Sequence, residues 1–152
     1  MERLYLDHGQ VVLRRARRLL QNEEEARDVL HDLFCALAGD RNPFGGRSAV
    51  TTWLYGATTN LCLTRLRKRR TRKRLLGRER PAGQSGPATD ARALAQELLS
   101  ALPCELAEVA VYYYVDEMTQ QEIAEVLGCS RRRVGDLVQK LRMRADQHGR
   151  AA

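Results

Sequence analysis

Thr119, Glu122, Ala124, Gly128, Ser130 and Val134 fall at intervals that build two short helices across one tight turn. Thr119 with Glu122 forms a capping box, Ile123, Ala124 and Leu127 face inward, Gly128 takes the left-handed turn conformation, and Ser130 caps the next helix. Ala124 is small where the helices cross and Val134 anchors the second one, which is the spacing of a helix-turn-helix. Val134, Leu137, Val138 and Leu141 bury that second helix. Arg131, Arg132, Arg133, Asp136 and Lys140 are left facing outward, with Thr119 and Ser130 at the two caps, a set suited to phosphates and guanine edges of a major groove. Three arginines in a first turn oppose the helix dipole, so an external anion has to compensate them. Arg132 and Asp136, four apart, are also spaced for an ion pair within the helix. The bland alternative is a helical hairpin with a solvated basic face.

A second cluster lies upstream. Residues 64–80 carry ten basic side chains and one acid, residues 130–144 carry six and one, and residues 81–129 hold eight acids and a single Arg. The formal net charge of +7 and the pI near 9.7 are therefore two basic islands in a neutral to acidic chain. Holding an unpaired nucleic-acid strand needs cations along its backbone and aromatic faces for its bases. Arg65, Arg67 and Arg69 supply cations, and Trp53 and Tyr55 offer rings, although a lone Trp at helical spacing is more often a core residue. The run Arg65–Arg74 also reads as a nonspecific electrostatic tail or an RNA-binding arm.

No constellation for bond chemistry accompanies these clusters. There is no phosphate-binding glycine loop, no nucleophile with its base and no set of metal-binding carboxylates, so an enzyme is not expected. Cys35, Cys62, Cys104 and Cys129 are 27, 42 and 25 positions apart, and His8, His31 and His148 are scattered, so neither a metal nor another cofactor is expected. The cysteines read as reduced core or near-core thiols.

The elements that must position these residues are helical. From Glu23 the apolar residues Ala26, Val29, Leu30, Leu33, Phe34 and Leu37 form one buried stripe, with Asn22 as N-cap and Glu25 three residues later. Val12, Ala16, Leu19 and Leu20 give an earlier helical face flanked by Arg14, Arg15, Arg17 and Arg18. A loop follows over Gly39–Gly46, then a helix from about Ser48 that ends by Gly77. Residues 77–89 are rich in Gly and Pro and read as a flexible linker. Ala91–Ala101 and a helix after Leu102-Pro103 come next, and Val109–Val115 is expected to stay helical despite its tyrosines because no partner strand is apparent. The expectation is an all-α chain of two small helical domains, 1–76 and 90–148, joined by the linker at 77–89. With 43% apolar residues, no membrane-length apolar run and no signal-peptide core after Met1, a soluble cytoplasmic protein is expected.

Asp28-Val29-Leu30-His31-Asp32-Leu33-Phe34, then Thr52-Trp53-Leu54-Tyr55 followed by Asn60, then Leu102-Pro103 ahead of Glu122-Ile123-Ala124 give the chain its resemblance. In order and spacing it resembles, over nearly its whole length, the extracytoplasmic-function sigma factors of bacterial RNA polymerase. The resemblance implies a dissociable initiation factor that directs promoter-specific transcription. Core polymerase would dock on the helix bearing Glu24, Asp28, His31 and Asp32, whose acidic face suits a basic partner. Trp53, Asn60, Arg65, Arg67 and Arg69 would hold the opened minus-ten element, with loop Asn42–Ala49 receiving an unstacked base. Thr119, Ser130, Arg131, Arg132, Arg133, Asp136 and Lys140 would read the minus-thirty-five element. Partners implied are core polymerase and promoter DNA, with an anti-sigma factor as a further expectation. Thr64, Ala107, Arg132-Arg133, Gly135 and Leu137 depart from the family's usual residues, and the shift of positive charge toward the N-terminal turn of the recognition helix implies a different base preference. Two other readings stay open: a helix-turn-helix regulator acting without polymerase, and a sigma-like adaptor that has lost promoter recognition.

Overall fold

A computed structural model describes residues 2–39, 44–46, 48–77 and 87–151, with the side chains of 87–90 and 148–151 left aside. Among the described residues it is all-α: α1 (Glu2–Leu20), α2 (Glu23–Ala38), α3 (Val50–Leu75), α4 (Pro87–Ala101), α5 (Cys104–Ala110), a π-helical turn (Val111–Val115), α6 (Gln120–Leu127) and α7 (Arg131–Ala151). They form two compact units, Met1–Ala101 and Leu102–Ala152.

In the first unit α2 starts where its sequence signals it, with Asn22 Oδ1 accepting the Glu25 backbone N–H at 3.0 Å. The six stripe residues Ala26, Val29, Leu30, Leu33, Phe34 and Leu37 are all buried. Phe34 meets Tyr5 of α1 edge-on, ring centroids 5.0 Å apart, which makes it a core residue. From α3 the buried face is Leu54, Thr58, Thr59, Cys62, Leu63 and Leu66. Its two buried hydroxyls stay satisfied by donating one turn back, Thr58 to the Leu54 carbonyl at 2.6 Å and Thr59 to the Tyr55 carbonyl at 2.9 Å.

Arg15 departs from the sequence expectation of a flanking basic face. It is only 8% exposed, donates from Nε to Thr59 Oγ1 at 2.9 Å, and lays its guanidinium 3.6 Å from the Tyr55 ring centroid. A buried cation needs such partners, and stacking on an aromatic face is one that a guanidinium uses well.

Pro87 opens α4 inside the stretch read as linker, at a position where proline is favoured in a first turn; residues 78–86 lie outside the described residues. Helix α4 then packs on α3 and belongs to the first unit, which runs to Ala101. Gln96 explains the attachment: its Nε2 donates at 2.8 Å to the Leu19 carbonyl, one of the last carbonyls of α1 and so without a partner inside that helix.

The second unit buries Leu106, Ala107, Val109, Ala110, Val111, Tyr112, Ile123, Ala124, Val134, Leu137, Val138 and Leu141. Val109–Val115 is helical as expected, its latter part in the wider π register. Among the cysteines, burial holds for Cys62 alone; Cys129 is half-buried, and Cys35 and Cys104 are exposed. Burial pushes the Cys62 thiol up to about 12. At neutral pH iodoacetamide is therefore expected to alkylate Cys35 and Cys104 within minutes and to spare Cys62 until the chain is unfolded. Peptide mass mapping of the native and denatured protein checks this, and early Cys62 alkylation would contradict the packing of α3.

Candidate nucleic-acid interface

The second unit presents a helix-turn-helix built as its residues specify. Thr119 Oγ1 accepts the Glu122 N–H at 3.3 Å while Glu122 Oε2 accepts the Thr119 N–H at 2.8 Å, completing the capping box. That backbone hydrogen bond, with a second from the Thr119 hydroxyl, holds the Glu122 carboxyl below its ordinary range. A depressed carboxylate stabilises the fold above its unfolded pKa and loses that contribution as pH falls through the folded one, so the cap weakens only in acid. Gly128 ends α6 at φ 64°, ψ 35°, the left-handed conformation that favours glycine. Ser130 Oγ then accepts the Arg133 N–H at 3.2 Å and opens α7. Ile123 and Ala124 are buried as expected, while Leu127 is half-buried.

Helix α7 buries Val134, Leu137, Val138 and Leu141 and exposes Arg131, Arg132, Arg133, Asp136 and Lys140, the five positions expected to face outward. Its first turn contains no acid. Arg131, Arg132, Asp136 and Lys140 make no hydrogen bond or ion pair among the described residues, so the Arg132–Asp136 pair that the spacing allows is not formed. Arg133 differs. Its Nε and Nη2 both donate to Glu105 Oε1 of α5, at 2.8 and 2.5 Å, which raises the pKa of the guanidinium. Thr119 and Ser130 are occupied first as caps.

In the first unit, two clusters that the sequence treats as separate sites meet. Arg65 of α3 donates to Asp32 Oδ2 at 2.6 Å and to Asp28 Oδ2 at 3.4 Å, and Arg69 pairs with Glu25. Arg69 also reaches Gln96 Oε1 at 3.4 Å. Positions 25, 28 and 32 thus meet positions 69 and 65 in reverse order, as antiparallel neighbouring helices require. Arg65 and Arg69 are half-buried, and Arg67 is half-buried with its Nη2 atom enclosed and without a hydrogen-bond partner. The open cations of α3 are instead Lys68, Arg72, Lys73 and Arg74, all exposed and without partners among the described residues. Sequence reasoning missed them because it took the run as a whole; projecting it on a helical period against the buried Cys62, Leu63 and Leu66 separates the two groups.

Asp28 and Asp32 remain more than half exposed despite their pairing, and Glu24 and His31 are exposed on the same helix. Glu24 has no partner among the described residues, while His31 Nε2 lies 3.4 Å from Cys35 Sγ. Asn60 is exposed. Trp53 is half-buried and meets Phe44 edge-on, with centroids 5.8 Å apart, so one side of its ring is already in use. Residues 42, 43 and 47 of the loop expected to receive a base lie outside the described residues. No group of three or more metal-ligating side chains occurs among the described residues, and no described helix is long and apolar enough to cross a membrane.

Comparison with known families gives two matches in the order the sequence motifs take. The family model for sigma-70 region 2 matches residues 4–72, which span α1 to α3, and the model for sigma-70 region 4 matches residues 92–144, which hold the helix-turn-helix. The second match begins inside α4, although that helix packs with the first unit. No curated protein matches the chain. With these two regions in this order on an all-α chain, the protein belongs to the sigma-70 family of RNA polymerase sigma factors, in the two-domain form of the extracytoplasmic-function group.

Proposed function

We propose that this sigma factor binds bacterial core RNA polymerase in the cytoplasm, carries it to a specific set of promoters, and is released after initiation. Core polymerase docks on the acidic face of α2, at Glu24, Asp28, His31 and Asp32. Helix α3 holds the opened minus-ten element, with Trp53, Asn60 and Arg67 beside the strand and the exposed cations Lys68, Arg72, Lys73 and Arg74 on its backbone, while Arg65 and Arg69 serve it indirectly by holding α3 against Asp28, Asp32 and Glu25 of α2. Helix α7 enters the major groove at the minus-thirty-five element through Arg131, Arg132, Asp136 and Lys140, oriented by the caps at Thr119 and Ser130. The observation that carries this reading is the acid-free first turn of α7, in which Arg131 and Arg132 have no partner among the described residues, on a capped helix-turn-helix in a chain matched by both sigma-70 regions. Cations there are unfavourable in the free protein and become favourable beside phosphate. The protein performs no bond chemistry; it lowers the barrier to initiation by binding alone.

Reconstitution tests the proposal: core polymerase, this protein and fragmented genomic DNA of the source organism, scored for run-off transcripts with defined start sites. Transcripts that require the protein are expected. Duplex binding without transcripts would favour a regulator that acts without polymerase, and polymerase binding without any effect on DNA would favour an adaptor. An anti-sigma factor is a further partner that the family reading implies, and co-purification from cells under non-inducing growth would reveal it.

A further inference from the structure

Of the three arginines in the first turn of α7, the structure separates one from the other two. Arg131 and Arg132 are exposed and unpartnered among the described residues, whereas Arg133 sends two donors to one carboxylate oxygen of Glu105, at 2.8 and 2.5 Å. Glu105 lies in the first turn of α5, where a negative side chain is favoured by the helix dipole. The Arg133 backbone N–H is taken as well, by Ser130 Oγ at 3.2 Å. The Nε–Nη2 edge of the guanidinium and the main-chain N–H of Arg133 are thus both committed inside the unit, while the rest of the side chain stays exposed. We propose that Glu105 is a positioning residue for DNA reading: it withdraws Arg133 from the phosphates and leaves Arg131 and Arg132 as the pair of cations that the first turn of α7 presents to the duplex.

The physical argument is competition for one guanidinium. A carboxylate and a phosphate both match the donor edges of arginine, and a guanidinium whose Nε–Nη2 edge and charge are already met by a carboxylate in the folded protein gains less from a phosphate unless the pair opens. Nonspecific affinity grows with every phosphate neutralised, while discrimination between sequences comes from base edges. Withholding one of three adjacent cations therefore trims the sequence-independent part of binding and keeps the part that reads bases. The acid sits on a different helix from the arginine, 28 positions away in the chain, so the pairing is a product of the fold.

This inference rests on the proposal that α7 enters the duplex, and the test distinguishes the two. Binding of the full-length protein to a mixed-sequence 30-base-pair duplex is titrated from low to physiological salt, and the slope of log affinity against log salt is read. Glu105→Gln keeps the shape and removes the charge, and its slope is expected to steepen by about 0.9, the value of one added phosphate contact. Arg133→Gln alone is expected to leave the slope as in the parent, Arg133→Gln in the Glu105→Gln background to return it there, and Glu105→Asp to keep it near the parent value. Arg131→Gln with Arg132→Gln is expected to flatten the slope by about 1.8. An unchanged slope in Glu105→Gln, together with a flattened one in the Arg131, Arg132 variant, would overturn the role of Glu105 alone. An unchanged slope in the Arg131, Arg132 variant would overturn the reading of α7 and the role of Glu105 with it. A merely structural contribution of Glu105 would lower the melting temperature without moving the slope, and that outcome also counts against the proposal.

Discussion

Core RNA polymerase is expected to lose the Asp28→Arg, Asp32→Arg double variant, with affinity falling about 30-fold or more, the scale on which truncating one partner of a close interfacial charge pair acts. The two carboxylates are more than half exposed on α2, and reversing them replaces an acidic docking face by a basic one. The structure adds a complication that the sequence does not show: both carboxylates also hold Arg65 of α3. A double variant that fails to bind has therefore lost an intramolecular bridge as well as a docking charge. Two controls separate the causes. Arg65→Gln breaks the same bridge from the other side and keeps both acids, so it is expected to bind core polymerase at least as well as the parent. Glu24→Arg reverses a charge with no partner among the described residues, so it weakens docking without touching the α2–α3 contact. Co-elution on gel filtration, with thermal melts of each variant, reads the result. Loss of binding in Arg65→Gln as severe as in the double variant would show that the acids act by holding α3, and would remove them as a docking face.

Much of this architecture is written in local chemistry, and it is legible for that reason. Asn22 with Glu25, Thr119 with Glu122, Gly128 and Ser130 are signals a few residues long, and each ends or starts a helix where its side chain can satisfy backbone groups. The buried stripes of α2 and α7 follow from period alone. What escapes is pairing between elements. Arg15 looks like one of four flanking cations until Thr59 and Tyr55, forty or more positions away, receive it. Nothing local to helix α4 signals that Gln96 meets the end of α1, 77 positions away. The pairing of Arg65 with Asp28 and Asp32, and of Arg133 with Glu105, belongs to the same class. Composition counts each of these charges as free, and only the fold decides which are spent on one another.

That distinction sets the second large effect, on DNA. Replacing Lys68, Arg72, Lys73 and Arg74 together by glutamine is expected to flatten the salt dependence of single-strand binding by about 3 in slope, equal to four contacts at the single-strand value of about 0.7 each. Between 50 and 200 mM salt that is a loss of about 50-fold in the discrimination that salt imposes. Replacing Arg65 and Arg69 is expected to move the slope little and to lower the melting temperature instead, because their partners are Asp28, Asp32 and Glu25. A competing explanation exists for three of the four exposed cations: Arg72, Lys73 and Arg74 occupy the last turn of α3, where the helix dipole favours positive charge without any ligand. Lys68 lies outside that turn and is equally exposed and unpartnered among the described residues, so the dipole does not account for it. The salt slope decides between the two accounts, since a dipole contribution is a property of the free protein and vanishes from the difference between free and bound. A slope that survives the fourfold replacement but falls in the Arg65, Arg69 variant would mean that DNA displaces the α2 carboxylates, and the strand would then run along the paired arginines instead of the open ones.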